Sequence, residues 1–181
     1  MDEKRLQNAI RDILIAVGDD PSREGLLETP KRAAKMLVEM LEGMQYTNDE
    51  IAMMLDKSFI EDTLTNSRNL VVMKDIEIFS FCEHHLALMY DMTVDIAYIP
   101  NGRVLGLSKL ARIADLVSKR LQLQERITQD ILYIIKKITN STDIFVRVKG
   151  CHSCVAARGI KKKSLTVTKA KIGEIKESEL D

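Results

Sequence analysis

Residues 70–98 read LVVMKDIEIFSFCEHHLALMYDMTVDIAY, and the fold is decided by the change of hydrophobic period inside this stretch. Leu70–Met73 and Ile76–Phe79 are rich in apolar and β-branched residues, while Met92, Val94, Ile96 and Tyr98 alternate with Thr93, Asp95 and Ala97. That composition and period of two predict two strands, with Cys82-Glu83-His84-His85 between them. Downstream, Pro100-Asn101-Gly102 marks a turn, and Ser108 is placed to cap a helix carrying Leu110, Ile113, Ala114 and Val117. A second helix follows, with Leu123, Ile127, Ile131, Ile134, Ile135 and Ile138 on one face and its end near Asn140. Ile144, Val146 and Val148 alternate with polar or outward positions, as do Leu165 and Val167 within Ser164–Thr168, which predicts two more strands. The order strand, strand, helix, helix, strand, strand is that of an α+β protein with helices on one face of an antiparallel sheet.

Upstream the period is helical. Leu6, Ile10, Ile13, Leu14 and Val17 share one face, and Gly18 follows as a stop. Thr29-Pro30 reads as a cap followed by proline at the first helical position of a helix reaching about Glu42, and Thr47 with Glu50 has capping-box spacing ahead of Ile51–Leu55. The expected organisation is an N-terminal helical arm over residues 1–66 and a catalytic unit over 67–181.

Composition excludes several classes of function. Lys and Arg number 27 and so do Asp and Glu, which leaves no bulk positive charge for nucleic acid or a membrane surface. The longest apolar runs, Ile13–Val17 and Ile51–Leu55, are far short of the ~20 residues that span a bilayer, and the opening MDEKRLQN is not a secretory signal. A cytoplasmic location is expected. Three cysteines are too few and odd in number for a disulfide scaffold, which leaves metal ligands, reduced thiols or core residues.

The distribution of reactive residues is more specific than their number. All three Cys and all three His fall in Cys82-Glu83-His84-His85 and Cys151-His152-Ser153-Cys154. One metal site built from both windows explains the clustering, since Zn²⁺ takes thiolate and imidazole ligands across large sequence gaps. Cys82 and His85 can chelate from a turn, with Cys151 or Cys154 as third ligand; spacing alone does not choose between His84 and His85, or between the two later cysteines. Three protein ligands leave an open position where water is acidified, and the spare histidines suit proton transfer. A structural zinc site, closed by a fourth ligand such as Cys151, is the alternative.

Three further features bear on an anionic ligand. The backbone N–H groups at the start of the Ser108 helix, with Lys109, suit phosphate, although a capped helix with surface Lys109 and Arg112 is also an ordinary feature. From Asp143 to Ile172 there are eight basic residues, Arg158 and Lys161–Lys163 among them, and one acid. Glu125, opening the second helix, can accept two hydrogen bonds from a guanine-type amidine edge, or can simply complement the helix dipole.

The blocks EGLLETPKRAAKM, CEHHL, IAYIP, GLSKLARI, QLQERIT and CHSCVAARGI, spread in order from about Arg23 to Gly173, resemble the GTP cyclohydrolase I family. The resemblance implies zinc on Cys82, His85 and Cys154, with Cys151 a neighbour without a ligand role. It implies His84 and His152 as an acid/base pair around the purine C8, Gln124 and Glu125 on the guanine ring, and Ser108, Lys109, Arg112 and Arg158 at the ribose and triphosphate end. The implied reaction hydrolyses GTP at C8, releases formate and forms 7,8-dihydroneopterin triphosphate, which opens tetrahydrofolate and pteridine biosynthesis. The implied fold is the tunnel fold, assembled as a homodecamer with active sites between subunits. A tunnel-fold protein that holds zinc and binds GTP or a pterin without turnover is the alternative. Two local departures stand out: the family usually carries a glycine near Asp91, and Gly173-Glu174-Ile175 lacks the usual aromatic.

Overall fold

The computed structural model describes residues 1–64 and 68–180; the expected boundary between 66 and 67 lies outside them. Helix α1 spans Glu3–Ala16, capped by Asp2, whose side chain accepts from the Arg5 N–H. Helix α2, Thr29–Met40, begins one residue earlier than predicted: Glu28 is the cap, and Thr29 and Pro30 both lie in the first turn, where proline's missing N–H costs nothing. These two helices pack mainly on each other, and Ile13, Ile15 and Val17 of α1 remain exposed. Helix α3, Asn48–Leu55, carries the predicted capping box: the Glu50 N–H donates to Thr47 Oγ1, and the Thr47 N–H to the Glu50 carboxylate. Its Ile51, Ala52 and Leu55 are buried in the main core.

The sheet is built from β2 (Val71–Cys82), β3 (Ala87–Tyr98), β6 (Ile144–His152) and β7 (Leu165–Ile172), all antiparallel neighbours in that order. Helices α4 (Leu107–Ser118) and α5 (Gln124–Thr139) fill the connection between β3 and β6, as the periodicity predicts. Two additions are not legible in the sequence. A two-residue strand β5, Leu121–Gln122, pairs in parallel with the end of β2 and makes the sheet five-stranded and mixed. A small separate ribbon joins β1, Ser58–Ile60, to β4, Arg103–Leu105. The two apolar runs at 70–73 and 76–79 belong to one strand, interrupted by a bulge at which Asp75 takes a positive φ of 52°.

The core lies between one sheet face and the two helices. Val94, Ile96, Val146 and Val148 meet Ile113, Val117, Ile131, Ile134 and Ile135, all fully buried, each contributing roughly 1.5–3 kcal/mol of transfer free energy. The opposite face carries a smaller cluster of Ala97, Phe145, Ile175 and Leu180, beside a buried ion pair of Asp95 with Arg147 at 2.7 Å. Burial pushes the Asp95 pKa up, but the Asp75 N–H, Arg147 and Lys149 outweigh it and hold the carboxyl below its usual range. Asp91, near which a glycine is expected from the family resemblance, sits at a β3–β6 irregularity with φ of 49°. Aspartate is among the few residues that tolerate this left-handed backbone, so the turn geometry a glycine favours is kept without one.

Gly43 and Arg120 join the N-terminal helices to the end of the sheet that carries the cysteines. Arg120, just ahead of β5, donates to the carbonyls of Gly43 and Tyr46 and to the Asn48 side chain, and pairs with Asp130 of α5 at 3.3 Å. A Cβ on Gly43 would lie 1.9 Å from the Leu116 carbonyl oxygen, a backbone atom that cannot swing aside. Gly43→Ala is expected to cost about 1–3 kcal/mol of stability, the usual range for overpacking, read as a lower midpoint in denaturant unfolding. No helix among the described residues is long and apolar enough to cross a membrane.

Candidate metal centre and active site

Hydrogen bonding at one end of the sheet brings the two Cys/His windows together. Cys82 is the last residue of β2, and the chain then turns sharply: the N–H groups of His85 and Leu86 both donate to the Cys82 carbonyl, and Leu86 takes a φ of 50° before β3 begins. The bidentate pair of Arg126 with Glu83, at 2.6 and 3.1 Å, ties this turn to α5. The second window closes β6 with Cys151 and His152 and continues into the single turn α6, Ser153–Ala156, which carries Cys154. Since β6 pairs with β3, the register Met89↔His152 delivers the second window beside the first.

Cys82 Sγ, a ring nitrogen of His85 and Cys154 Sγ all lie within 4.8 Å of one another. Tetrahedral zinc with bonds of ~2.0–2.3 Å spaces its ligand atoms roughly 3.3–3.8 Å apart, so the three donors need close by only about 1 Å. Two soft thiols and an imidazole are a donor set for Zn²⁺ rather than for Mg²⁺ or Ca²⁺. The Cys154 thiol is pushed up, first by burial and then by its hydrogen bond to and the charge of Cys82. Two thiols in mutual contact resist double ionisation, and a divalent cation between them removes that conflict. The group therefore fits zinc.

Cys151 stands apart from this cluster among the described residues. It precedes His152 on β6, and successive strand side chains point to opposite faces, so the strand that aims His152 at the cavity turns Cys151 away from it. The protein thus offers three ligands and leaves a coordination position open, the pattern of catalytic rather than structural zinc.

A cavity of about 420 Å³ surrounds the centre. Its walls include His84, Glu125, His152 and Arg158 together with Cys82, His85, Cys154 and Gln124, so eight of the eleven residues predicted for the site converge on it. Arg158 places a guanidinium nitrogen 2.8 Å from His85 Nε2. His152 is held below its usual imidazole range by burial, with the nearby charge of Glu125 acting the other way. Gln122, Leu123, Met89 and Val155 also line the space. The sequence reading did not single these out, although the QLQERIT block contains the first two.

Ser108, Lys109 and Arg112 do not line this cavity. Helix α4 is capped at Gly106 with no side-chain cap, so Ser108 lies inside the first turn and the predicted Ser108 cap is not formed. The C-terminal end of α4, not its N-terminal end, leads into β5 beside Cys82. Ser108 and Lys109 lie near its N-terminal end, about 14–15 Å back along the helix from Ser118. Arg112 lines a different recess with Glu42, Tyr46 and Asp115.

Comparison with known proteins gives the family. The family described as GTP cyclohydrolase I matches residues 6–180. GTP cyclohydrolase 1 of Clostridium acetobutylicum is 59% identical over 178 residues, covering 97% of this chain and 91% of that protein. The protein of the same name from Clostridium botulinum, strain Loch Maree, is 57% identical over 173 residues, covering 93% and 88%. Among solved structures, an archaeosine synthase QueF-Like in the apo form overlaps 61% of this chain and all of that one, at 25% identity and a TM-score of 0.47.

Proposed function

This chain belongs to the GTP cyclohydrolase I family, and on that premise we propose that the cavity around Cys82, His85 and Cys154 is where GTP is opened at C8. The carrying observation is the convergence of a three-donor metal centre, two further histidines, a carboxylate and a guanidinium on one cavity, with Cys151, the candidate fourth ligand, outside the cluster. Cys82, His85 and Cys154 hold zinc, which when bound supplies Lewis acidity and lowers the pKa of water towards neutrality.

The protein's own groups account for the rest of the reaction. Glu125 accepts two hydrogen bonds from the amidine edge of guanine and fixes the base, which directs C8 to the two histidines. Water adds at C8 and the imidazole ring opens to a formamide. A second water hydrolyses that amide so that C8 departs as formate, and closure of the new ring later returns one water; His84 and His152 supply and remove the protons these steps need. Arg158 offsets phosphate charge, and Leu123, Met89 and Val155 line the cavity with apolar surface that limits bulk water. Rearrangement of the ribose and closure of a new ring then give 7,8-dihydroneopterin triphosphate.

Ser108, Lys109 and Arg112 belong to a site completed by another copy of the chain. Their distance from the cavity within one subunit supports this reading, as do the exposed outer edge of β7 and the open edge of β2 beyond β5, which a closed homodecameric tunnel covers. Zinc-loaded protein incubated with GTP is expected to release formate and to yield a fluorescent oxidised pterin, both lost on chelation. Tight GTP binding with neither signal would replace the enzyme with a binding protein.

A further inference from the structure

Gln124 opens α5 and is 1% exposed. Its amide nitrogen donates to the Val148 carbonyl of β6 at 3.1 Å and to the Thr166 carbonyl of β7 at 3.0 Å. Both partners only accept, so turning the amide over would set its oxygen against two carbonyl oxygens. The orientation is therefore determined, and Gln124 Oε1 is the atom 2.9 Å from His152 Nε2. An amide oxygen cannot donate, so the hydrogen in that contact belongs to His152 Nε2. His152 Nδ1 has no hydrogen-bond partner among the described residues.

We propose that Gln124 is a positioning residue that locks His152 as the Nε2–H tautomer, so that Nδ1 is the nitrogen that exchanges protons with the substrate. Neutral His152 takes a proton at Nδ1 and becomes imidazolium, still donating through Nε2 to the same oxygen; giving the proton back from Nδ1 restores the starting state. One contact serves both charge states, so the ring need not turn during the cycle. Both amide hydrogens and one lone pair of the amide oxygen are thus engaged inside the protein, so the Gln124 side chain is held by three bonds. The inference rests on reading His152 as the acid/base group of the cyclohydrolase.

The tautomer can be read without substrate. The chain has three histidines, so solid-state ¹⁵N and ¹³C spectra of sedimented, zinc-loaded, histidine-labelled enzyme are simple, and subtraction of the His152→Asn spectrum isolates one ring. The expected signature for neutral His152 is Nε2–H. Gln124→Met, which removes the acceptor, is expected to give mixed tautomers and to lower kcat about 10–100-fold with KM within about threefold, the usual effect of removing an orienting partner. Gln124→Glu keeps the acceptor, and is expected to keep the Nε2–H signature and to recover most of kcat even if it melts earlier. An Nδ1–H ring in the unaltered enzyme would overturn the proposal, as would a Gln124→Met variant that raises KM at unchanged kcat. Nε2–H supports the lock even in a chain that releases no formate, and Nδ1–H defeats it in one that does, so the two readings fail separately.

Discussion

Cys154→Ala is expected to abolish zinc binding and turnover together. The cluster holds only three donors, two of them thiols, and no other cysteine or histidine joins it among the described residues. Changing a group that merely orients a ligand already costs about 10–100-fold in metal affinity or activity, so removing one ligand of three is expected to exceed 100-fold in both. Metal content after dialysis, measured by elemental analysis, and formate release on the same sample report the two losses. Cys151→Ala is the matched control: that side chain is buried but faces away from the centre, so zinc and activity are expected to remain. Stoichiometric zinc in Cys154→Ala, or zinc lost from Cys151→Ala, would move the centre to other ligands.

His152→Ala is expected to keep its zinc and lose turnover by about 10²–10⁴-fold, the range for deleting a general acid/base group. The three donors lie on Cys82, His85 and Cys154, none of which hydrogen-bonds to His152. The variant also leaves Gln124 Oε1 without its partner, but the new space opens on the cavity and admits water, so the stability cost is expected to stay near 1–3 kcal/mol. Zinc content, thermal midpoint and single-turnover formate release measured together separate the two effects. A variant that binds zinc and turns over at the native rate would remove His152 from the chemistry and leave His84 as the candidate.

Local rules made most of the elements legible. The capping box at Thr47 and Glu50 formed as its spacing requires, and the αL conformation of Asn140 ends α5 where the isoleucine stripe stops. The two Cys/His windows announced a shared centre because no soft ligand lies elsewhere in the chain. The failures were also local in origin. Ser108 has the composition of a cap, yet Gly106 occupies the cap position, since the chain leaving β4 enters the helix two residues earlier than side-chain chemistry suggests. A two-residue strand such as β5 has no period to detect, and it exists only because β2 offers it an edge.

Composition, spacing and resemblance to a family were thus enough to determine the order of strands and helices, the residues able to hold zinc, and the class of reaction. These rest on interactions between near neighbours in sequence, or on residue types too rare to cluster by accident. Spacing alone left the choice between Cys151 and Cys154 open, and the tertiary structure supplies the physical reason for the one the resemblance implies: the register of β6 against β3 sets which face each side chain takes, and a shift of one residue would exchange Cys151 for His152. Only the tertiary structure could show that Ser108, Lys109 and Arg112 lie outside the cavity that takes the other eight residues, and that the Gln124 amide is bonded to two strands and a histidine. The physical reason is the same in each case: a hydrogen bond or a facing direction fixed across the sheet is a property of paired strands, and the linear sequence carries no record of which atoms the pairing leaves free.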